Sequence, residues 1–217
     1  MVIIIGGMIG IGKTTTAKML HEELGIPVFY ESVKGNKVLP LFYTATKEEQ
    51  EKRRYPFLLQ LNFLQTRYHA IKQALLEDNA IMDRSIYEDH YFAKKNHDTG
   101  GISDTEMALY DGLLDEMMEE LKDLPKKAPD VMVYLHGSFE TVLKRIKQRG
   151  RSFELDQGLV DYYRFLWKDY DDWVHKAYKE SPIIDIDVDR KNVIYNEADK
   201  AWLLSELRKI DNKKAIK

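Results

Sequence analysis

The chain has 217 residues, which suits one large domain or two small ones, and it contains no cysteine. The absence of cysteine excludes disulfide bonds and thiolate metal sites, and it fits a reducing compartment. Lysine and arginine number 33 against 36 for aspartate and glutamate, so we expect no general attraction to nucleic acid. No apolar run approaches the roughly 20 residues of a membrane-spanning helix. The composition therefore predicts a cytoplasmic protein with neither nucleic acid nor a membrane as its partner.

Short apolar runs alternate with stretches of helical periodicity along the chain. Runs rich in β-branched residues predict strands at 2–5, 26–30, 79–82, 130–136 and 182–188. Apolar spacing and helix-end signals predict helices at 14–24, 56–77, 106–124, 139–149, 158–178 and 196–210. Residues 96–104, rich in turn-forming and charged side chains, predict a surface loop. The alternation predicts one α/β domain, residues 1–217, whose five-stranded parallel sheet carries helices on both faces.

The turn after the first predicted strand matches the P-loop pattern G-x-x-x-x-G-K-[ST]. Its residues are Gly7, Met8, Ile9, Gly10, Ile11, Gly12, Lys13 and Thr14. The glycines let backbone N–H groups wrap around phosphate oxygens, and the helix that follows presents its positive dipole end to the same anion. Lys13 would reach the β- and γ-phosphates, and the Thr14 hydroxyl would ligate Mg²⁺. We therefore predict a nucleoside triphosphate site.

The P-loop alone leaves motors, GTPases, ATPase subunits and small-molecule kinases open. The chain has no N-K-x-D sequence of the kind that gives GTPases their specificity, and it is too short for most motor machinery. An acid at a neighbouring strand end is expected to help hold the metal. Asp83, which directly follows the predicted strand 79–82, is the candidate.

Four further segments resemble the deoxynucleoside kinase family, whose bacterial members include deoxyadenosine and deoxyguanosine kinases. The sequence DRSIYED at 83–89 is similar to the D/E-R-S signature, and RGRSFE at 149–154 is similar to the R-x-R-x-x-E lid. YESV at 30–33 resembles the segment with the acceptor-side carboxylate, and FLLQ at 57–60 with Arg67 resembles the helix that reads the base. The resemblance implies a P-loop kinase fold, an arginine-rich lid, ATP as phosphoryl donor and a homodimer.

The reaction that the resemblance implies is transfer of the ATP γ-phosphoryl group to the 5′-hydroxyl of a 2′-deoxynucleoside. A sugar hydroxyl is a poor nucleophile, so transfer benefits from a carboxylate that orients it and accepts its proton. Glu31 and Asp83 each follow a predicted strand, so both are expected at the edge where open α/β sheets bind ligands. Either acid could be the base while the other serves Mg²⁺. Arg84 would bridge the acceptor hydroxyl and the phosphoryl group.

Arg145, Arg149 and Arg151 lie at the end of one predicted helix and just beyond it. An isolated cluster of this kind would be a solvated helix end favoured by the dipole. Beside a P-loop, it predicts a lid at about 145–158 whose guanidinium groups close over the triphosphate.

The resemblance also assigns a nucleoside pocket. Tyr43 would contact the 3′-hydroxyl and crowd C2′, and Glu154 would accept from the same hydroxyl. The base would be bound at its edge by Gln60, Arg67 and Asp89 and on its face by Phe63 and Phe92. Both phenylalanines are as readily explained as core residues. Gln60 and Arg67 are seven positions apart and therefore share a helix face.

The short chain and the DRSIYED string favour a purine deoxynucleoside. Thymidylate kinase is the alternative within the same chemistry, although that family tends to have an aromatic residue or histidine where this chain has Ser85. A nucleotide-binding subunit without catalysis, such as an accessory subunit of respiratory complex I, is the alternative from another class. The presence of Lys13, Glu31, Asp83 and Arg84 argues against it.

Overall fold

In a computed structural model, the protein is described at residues 1–31, 33, 35–121, 128–156 and 158–215, with side chains described as far as 212. The strands within these ranges are β1 (Val2–Gly7), β2 (Val28–Phe29), β3 (Ala80–Asp83), β4 (Val131–His136) and β5 (Ile183–Asp187). They form a five-stranded sheet in the order β2-β3-β1-β4-β5, and every neighbouring pair is parallel. The predicted parallel sheet is confirmed.

The central strands are buried on both faces. Every residue of β1 and β3 is buried, and so is every residue of β4 except its last. Because successive side chains of a strand point to opposite faces, continuous burial means that both faces are covered. Burying the long β-branched run Ile3–Ile5 supplies much of the apolar contact that holds the helices on the sheet.

The helices of the described chain include four that were predicted nearly as observed. These are α1 (Lys13–Leu24), α4 (Tyr55–Ala74), α7 (Phe139–Arg149) and α10 (Glu197–Ala215). The predicted helix 106–124 is observed as α6 (Asp104–Leu121), and residues 122–124 lie outside the described residues. None of the helices in the described ranges is both long and apolar enough to cross a membrane.

Three helices were not predicted: α2 (Val38–Thr44), α3 (Lys47–Arg53) and α5 (Ile86–Asp98). The predicted helix 158–178 is two helices, α8 (Leu159–Lys168) and α9 (Tyr170–Lys176), which meet at Asp169. Asp169 forms an ion pair with Lys95 of α5. A tertiary contact therefore coincides with the break, and no local sequence signal would have located it.

The segment 96–104 is less of a surface loop than predicted. Its first three residues end α5, and Asn96 and Ile102 are buried. The Asn96 side chain donates to the carbonyl of Phe92, and the Asn96 carbonyl accepts from two later backbone N–H groups. These hydrogen bonds fold the segment back onto the helix and leave only part of it exposed.

A second apolar cluster packs α5 between α4 and α6. Its buried members are Phe57, Leu64, Ile86, Ala93, Ile102, Met107 and Tyr110. The cluster matters for the site because α5 carries Asp89 and α4 carries Arg67, and the two side chains pair at 2.9 Å. Apolar packing on one side of α5 thus positions a polar contact on the other.

Leu64 and Leu76 provide a matched test of this packing. Leu64 is 1% exposed and Leu76 is 73% exposed. We expect Leu64→Ala to lower the free energy of unfolding by about 2–5 kcal/mol, because the substitution leaves a cavity. Leu76→Ala should change it by less than about 0.5 kcal/mol. Urea denaturation followed by circular dichroism measures both, and equal losses would contradict the described packing.

Candidate active site

The P-loop turns at two glycines and packs closely against α7. Gly10 and Gly12 have φ angles of 79° and 114°, which only glycine adopts without strain. A Cβ at Gly10 would lie 2.6 Å from Cγ1 of Ile146, and one at Gly12 would lie 3.0 Å from Nη1 of Arg145. The backbone N–H groups of both glycines donate to no atom of the described chain. These donors, together with the start of α1 at Lys13, fit a phosphate group.

Lys13 lies across the loop and contacts its backbone. Its ammonium group donates to the carbonyl oxygens of Gly7 at 2.9 Å and Met8 at 3.0 Å. Burial and the nearby positive charge of Arg84 lower the pKa of Lys13 to about 8. The carboxylates of Asp83, Glu31 and Glu88 partly oppose this shift of the pKa, and the negative charge of a bound triphosphate would oppose it further.

Asp83 and Thr14 meet beside the loop. Asp83 ends β3 and is in register with Ile5 of β1, which brings its carboxylate to the start of α1. The Thr14 hydroxyl donates to Oδ2 of Asp83, while Oδ1 is buried and has no partner among the described residues. Burial raises the pKa of Asp83. One hydroxyl and one carboxylate with an unused oxygen fit Mg²⁺, which usually takes one or two carboxylates together with phosphates and water.

Glu31 follows β2 on the other side of β3 and is held by two arginines. Its Oε1 accepts from Nε of Arg84 at 2.9 Å and from Nη2 of Arg67 at 3.0 Å. Burial alone would raise the pKa of Glu31, but the two guanidinium groups outweigh it and lower the pKa to about 2. The carboxylate is therefore ionised at neutral pH and can accept a hydrogen bond from a hydroxyl group.

Arg84 adopts a left-handed backbone conformation with a φ of 85°. For a residue with a side chain this conformation costs about 1–2 kcal/mol, so other contacts must compensate. Its N–H donates to Ile5 at 3.0 Å, and its guanidinium group lies 4.6 Å from the ring centre of Phe92. The guanidinium is thereby fixed at the carboxyl edge of the sheet, next to Glu31.

One cavity is lined by predicted residues of both the donor and the acceptor side, although Thr14, Asp83 and Arg145 are not among them. The predicted residues that line it are Ile9, Lys13, Glu31, Tyr43, Gln60, Phe63, Arg84, Asp89, Phe92, Arg149, Arg151 and Glu154. Arg67 does not line it, because the guanidinium is buried behind the wall. There it donates to the Asp83 carbonyl at 2.6 Å and pairs with Glu31 and Asp89.

The three arginines of the predicted lid have different partners. Arg145 donates to the carbonyl of Ile11 in the P-loop. Arg149 and Arg151 both pair with the buried carboxylate of Glu154, which lines the cavity with them. One arginine of the predicted lid therefore contacts the P-loop, and the other two line the cavity with Lys13. Gln157, within the predicted lid, lies outside the described residues, as does Ser32 beside Glu31.

Comparison with known proteins decides the family. A model of the deoxynucleoside kinase family matches residues 3–211, nearly the whole chain. The chain belongs to the deoxynucleoside kinase family. The resemblance found in the sequence is confirmed by this match.

Individual members of the family are similar over nearly their full length. A deoxyguanosine kinase of Lactobacillus acidophilus is 44% identical over 209 residues, covering 95% of this chain and 89% of that protein. A deoxyadenosine kinase of the same organism is 43% identical over 218 residues, covering 97% and 98%. The structure of a deoxyadenosine kinase from M. mycoides with bound dATP has a TM-score of 0.79 and 28% identity, with 96% and 100% covered.

This deoxynucleoside kinase has site residues that sequence reasoning missed. Leu39, Phe42 and Leu59 form an apolar part of the cavity wall, and the first two lie on the unpredicted helix α2. Glu88 is fully buried and accepts hydrogen bonds from the P-loop and from Arg84. The spacing of Ser85 and Glu88 is that of a capping box, and it was the available signal for this residue.

Lys13 provides a pH test of the phosphate cradle. With a pKa of about 8, the side chain loses its proton in the free protein as the pH rises from 7 to 9. Because triphosphate binding uses the charged form, we expect the affinity for ATP to fall about tenfold over this range. Binding at pH 8 should take up protons. Isothermal titration calorimetry in buffers of different ionisation enthalpy measures both quantities.

Two lysine variants control this test. Lys13→Met should bind ATP more weakly and without the pH dependence that is due to the ammonium group. Lys18→Met, at an exposed position of the same helix, should bind like the unmodified protein. Persistence of the full pH dependence in Lys13→Met would contradict the assigned role.

Proposed function

We propose that this protein transfers the γ-phosphoryl group of ATP to the 5′-hydroxyl of a purine 2′-deoxynucleoside. The observation that carries the proposal is the single cavity that Lys13, Glu31 and Arg84 share. An anion-binding lysine, an ionised carboxylate and a fixed guanidinium are the groups that a phosphoryl transfer to an alcohol requires. Membership of the deoxynucleoside kinase family supports the choice of acceptor.

On the donor side, the P-loop N–H groups and Lys13 would bind the phosphates. Thr14 and Oδ1 of Asp83, which has no partner among the described residues, would hold Mg²⁺, which neutralises charge on the β- and γ-phosphates when it is bound. Arg145 contacts the P-loop directly, and Arg149 and Arg151 line the cavity. We assign these three arginines to charge stabilisation during transfer.

On the acceptor side, Glu31 would orient the 5′-hydroxyl and accept its proton. A carboxylate with a pKa near 2 is a weak base, so it acts mainly by orientation and takes the proton late. Arg84 would bridge the hydroxyl and the phosphoryl group. The contacts favour this division of work, because Asp83 bonds to Thr14 of the P-loop while Glu31 bonds to Arg84 and Arg67.

The nucleoside pocket would be polar at the base edge and apolar on its faces. The side-chain oxygen of Gln60 is buried without a partner in the described chain, so it can accept a hydrogen bond from a base. Asp89 lines the cavity beside it, and Arg67 would act on the base indirectly by orienting Asp89. Tyr43 and Glu154 would contact the sugar. The deoxyguanosine and deoxyadenosine kinases among the relatives support a purine.

The family resemblance also supports two further proposals, that the protein forms a homodimer and that it is located in the cytoplasm. Three exposed leucines, Leu58, Leu109 and Leu113, lie on the contacting helices α4 and α6. A second copy of the chain packed on these two helices would bury them. The absence of cysteine fits a reducing compartment.

A substrate assay tests the proposal directly. We expect turnover of deoxyguanosine or deoxyadenosine with ATP and Mg²⁺, measured by formation of the 5′-monophosphate. Lys13→Ala should abolish this turnover while the thermal unfolding transition is retained. Turnover restricted to thymidine or deoxycytidine would contradict the purine assignment, and turnover of dTMP in place of any nucleoside would contradict the reaction.

Two carboxyl-to-amide variants separate the roles of the acids. Glu31→Gln should lower kcat by about 100-fold or more, because it removes the charged acceptor, and it should leave the Mg²⁺ dependence unchanged. Asp83→Asn should raise the Mg²⁺ concentration that gives half-maximal activity. Steady-state kinetics at several Mg²⁺ concentrations measures both effects. The reverse pattern would assign the base role to Asp83.

A further inference from the structure

The carboxylate of Glu88 has no role in the reaction described above, yet five donors meet its two oxygens in a site with 0% exposure. Oε2 accepts from the Ser85 backbone N–H at 2.8 Å and from the Ser85 hydroxyl at 3.0 Å. Oε1 accepts from the Gly7 N–H at 3.0 Å, from Nη1 of Arg84 at 3.4 Å and from the Tyr170 hydroxyl. This shell compensates for the burial of a charge.

The two oxygens of Glu88 serve different purposes. Oε2 completes the capping box at the start of α5, and a glutamine would complete that box equally well. The donors at Oε1 come from outside the box, namely from β1, from Arg84 and from α9. Burial and the charge of Glu88 raise the pKa of Tyr170, so its hydroxyl remains a donor. The need for a carboxylate rather than an amide therefore arises at Oε1.

Oε1 joins the P-loop to Arg84. Gly7 is the first glycine of the P-loop, and its N–H and the Arg84 guanidinium share this one acceptor. Arg84 is 3% exposed, and among the described residues it also forms an ion pair with the acceptor-side carboxylate of Glu31. The position of Arg84 between Glu31 and the P-loop is thus set by two carboxylates, one on each side.

We propose that Glu88 is a positioning residue for phosphoryl transfer, whose Oε1 fixes Arg84 relative to the first glycine of the P-loop. The proposal rests on the proposed function, in which Arg84 bridges the acceptor hydroxyl and the transferring phosphoryl group. Glu88 is absent from the described cavity lining, so it acts through Arg84 and not on substrate. Displacing a catalytic group by about 1 Å can lower a rate about 100-fold.

The variant Glu88→Gln tests the proposal with little change in shape. If the amide oxygen keeps the capping box, the amide NH₂ group faces Gly7 and Arg84, both of which are donors and cannot accept. Tyr170 can rotate its hydroxyl to accept, but the other two contacts are lost. We expect kcat to fall about 10- to 100-fold while KM for ATP and for the nucleoside changes by less than about threefold.

A double-mutant cycle distinguishes positioning from a general structural role. In an Arg84→Ala background, Glu88→Gln should change kcat by less than about threefold, because the group through which it acts is gone. A structural role would lower the apparent kcat by the same factor in both backgrounds. Tyr170→Phe removes one donor from Oε1 but places no new donor against the Arg84 guanidinium, so it should retain kcat within about threefold. All variants are assayed below their thermal unfolding transitions.

Equal losses in the two backgrounds, or an unchanged kcat in Glu88→Gln, would overturn the proposal. If Glu88→Gln does not fold, Glu88→Asp takes its place in the same cycle, since it keeps the charge but is too short to serve Ser85 and Arg84 together. Activity of the unmodified protein shows whether it is this proposal or the proposed function that has failed. If the unmodified protein phosphorylates no deoxynucleoside, the proposed function is wrong. If it is active and Glu88→Gln lowers kcat by the same factor in both backgrounds, only the role of Glu88 is wrong.

Discussion

The ion-pair network at the carboxyl edge of the sheet is the interaction on which the site depends. Arg84 lies between Glu31 and Glu88, and Arg67 lies between Glu31 and Asp89. Removing one member of such a buried set leaves the charge of its partner buried and unpaired. The resulting loss of stability is larger than the net stability that the pair contributes. The network therefore holds its members together as one rigid group, and a rigid group is what the orientation of two reactants requires.

The parallel sheet brings this group to the P-loop. β1 carries the loop, its neighbour β3 ends at Asp83, and β2 on the far side of β3 leads to Glu31. In parallel strands all carboxyl ends meet at one edge, so three segments distant in sequence come together there. The fold thus places the acids beside the loop, and the side-chain contacts fix the final positions of their carboxylates.

Local patterns predicted the sheet, and they placed the P-loop and both acids at the ends of strands, where the structure also has them. Helix α5 was missed for a physical reason: its buried residues include Glu88, Asp89, Lys95 and Asn96, so the apolar periodicity of a core helix is interrupted. Asp89 and Lys95 are buried because Arg67 and Asp169 of other elements pair with them, and sequence spacing does not reveal such partners. The same limit explains why Arg67 was expected at the cavity surface and lies behind it.

Lys13 has a consequence for the energetics of nucleotide capture. Its ammonium group donates to two carbonyl oxygens of its own loop, so contacts within the loop order the lysine side chain. A nucleotide that binds at the loop would then meet a lysine side chain that these contacts have already ordered. The protein therefore loses little conformational entropy on binding, so more of the electrostatic attraction contributes to the free energy of binding.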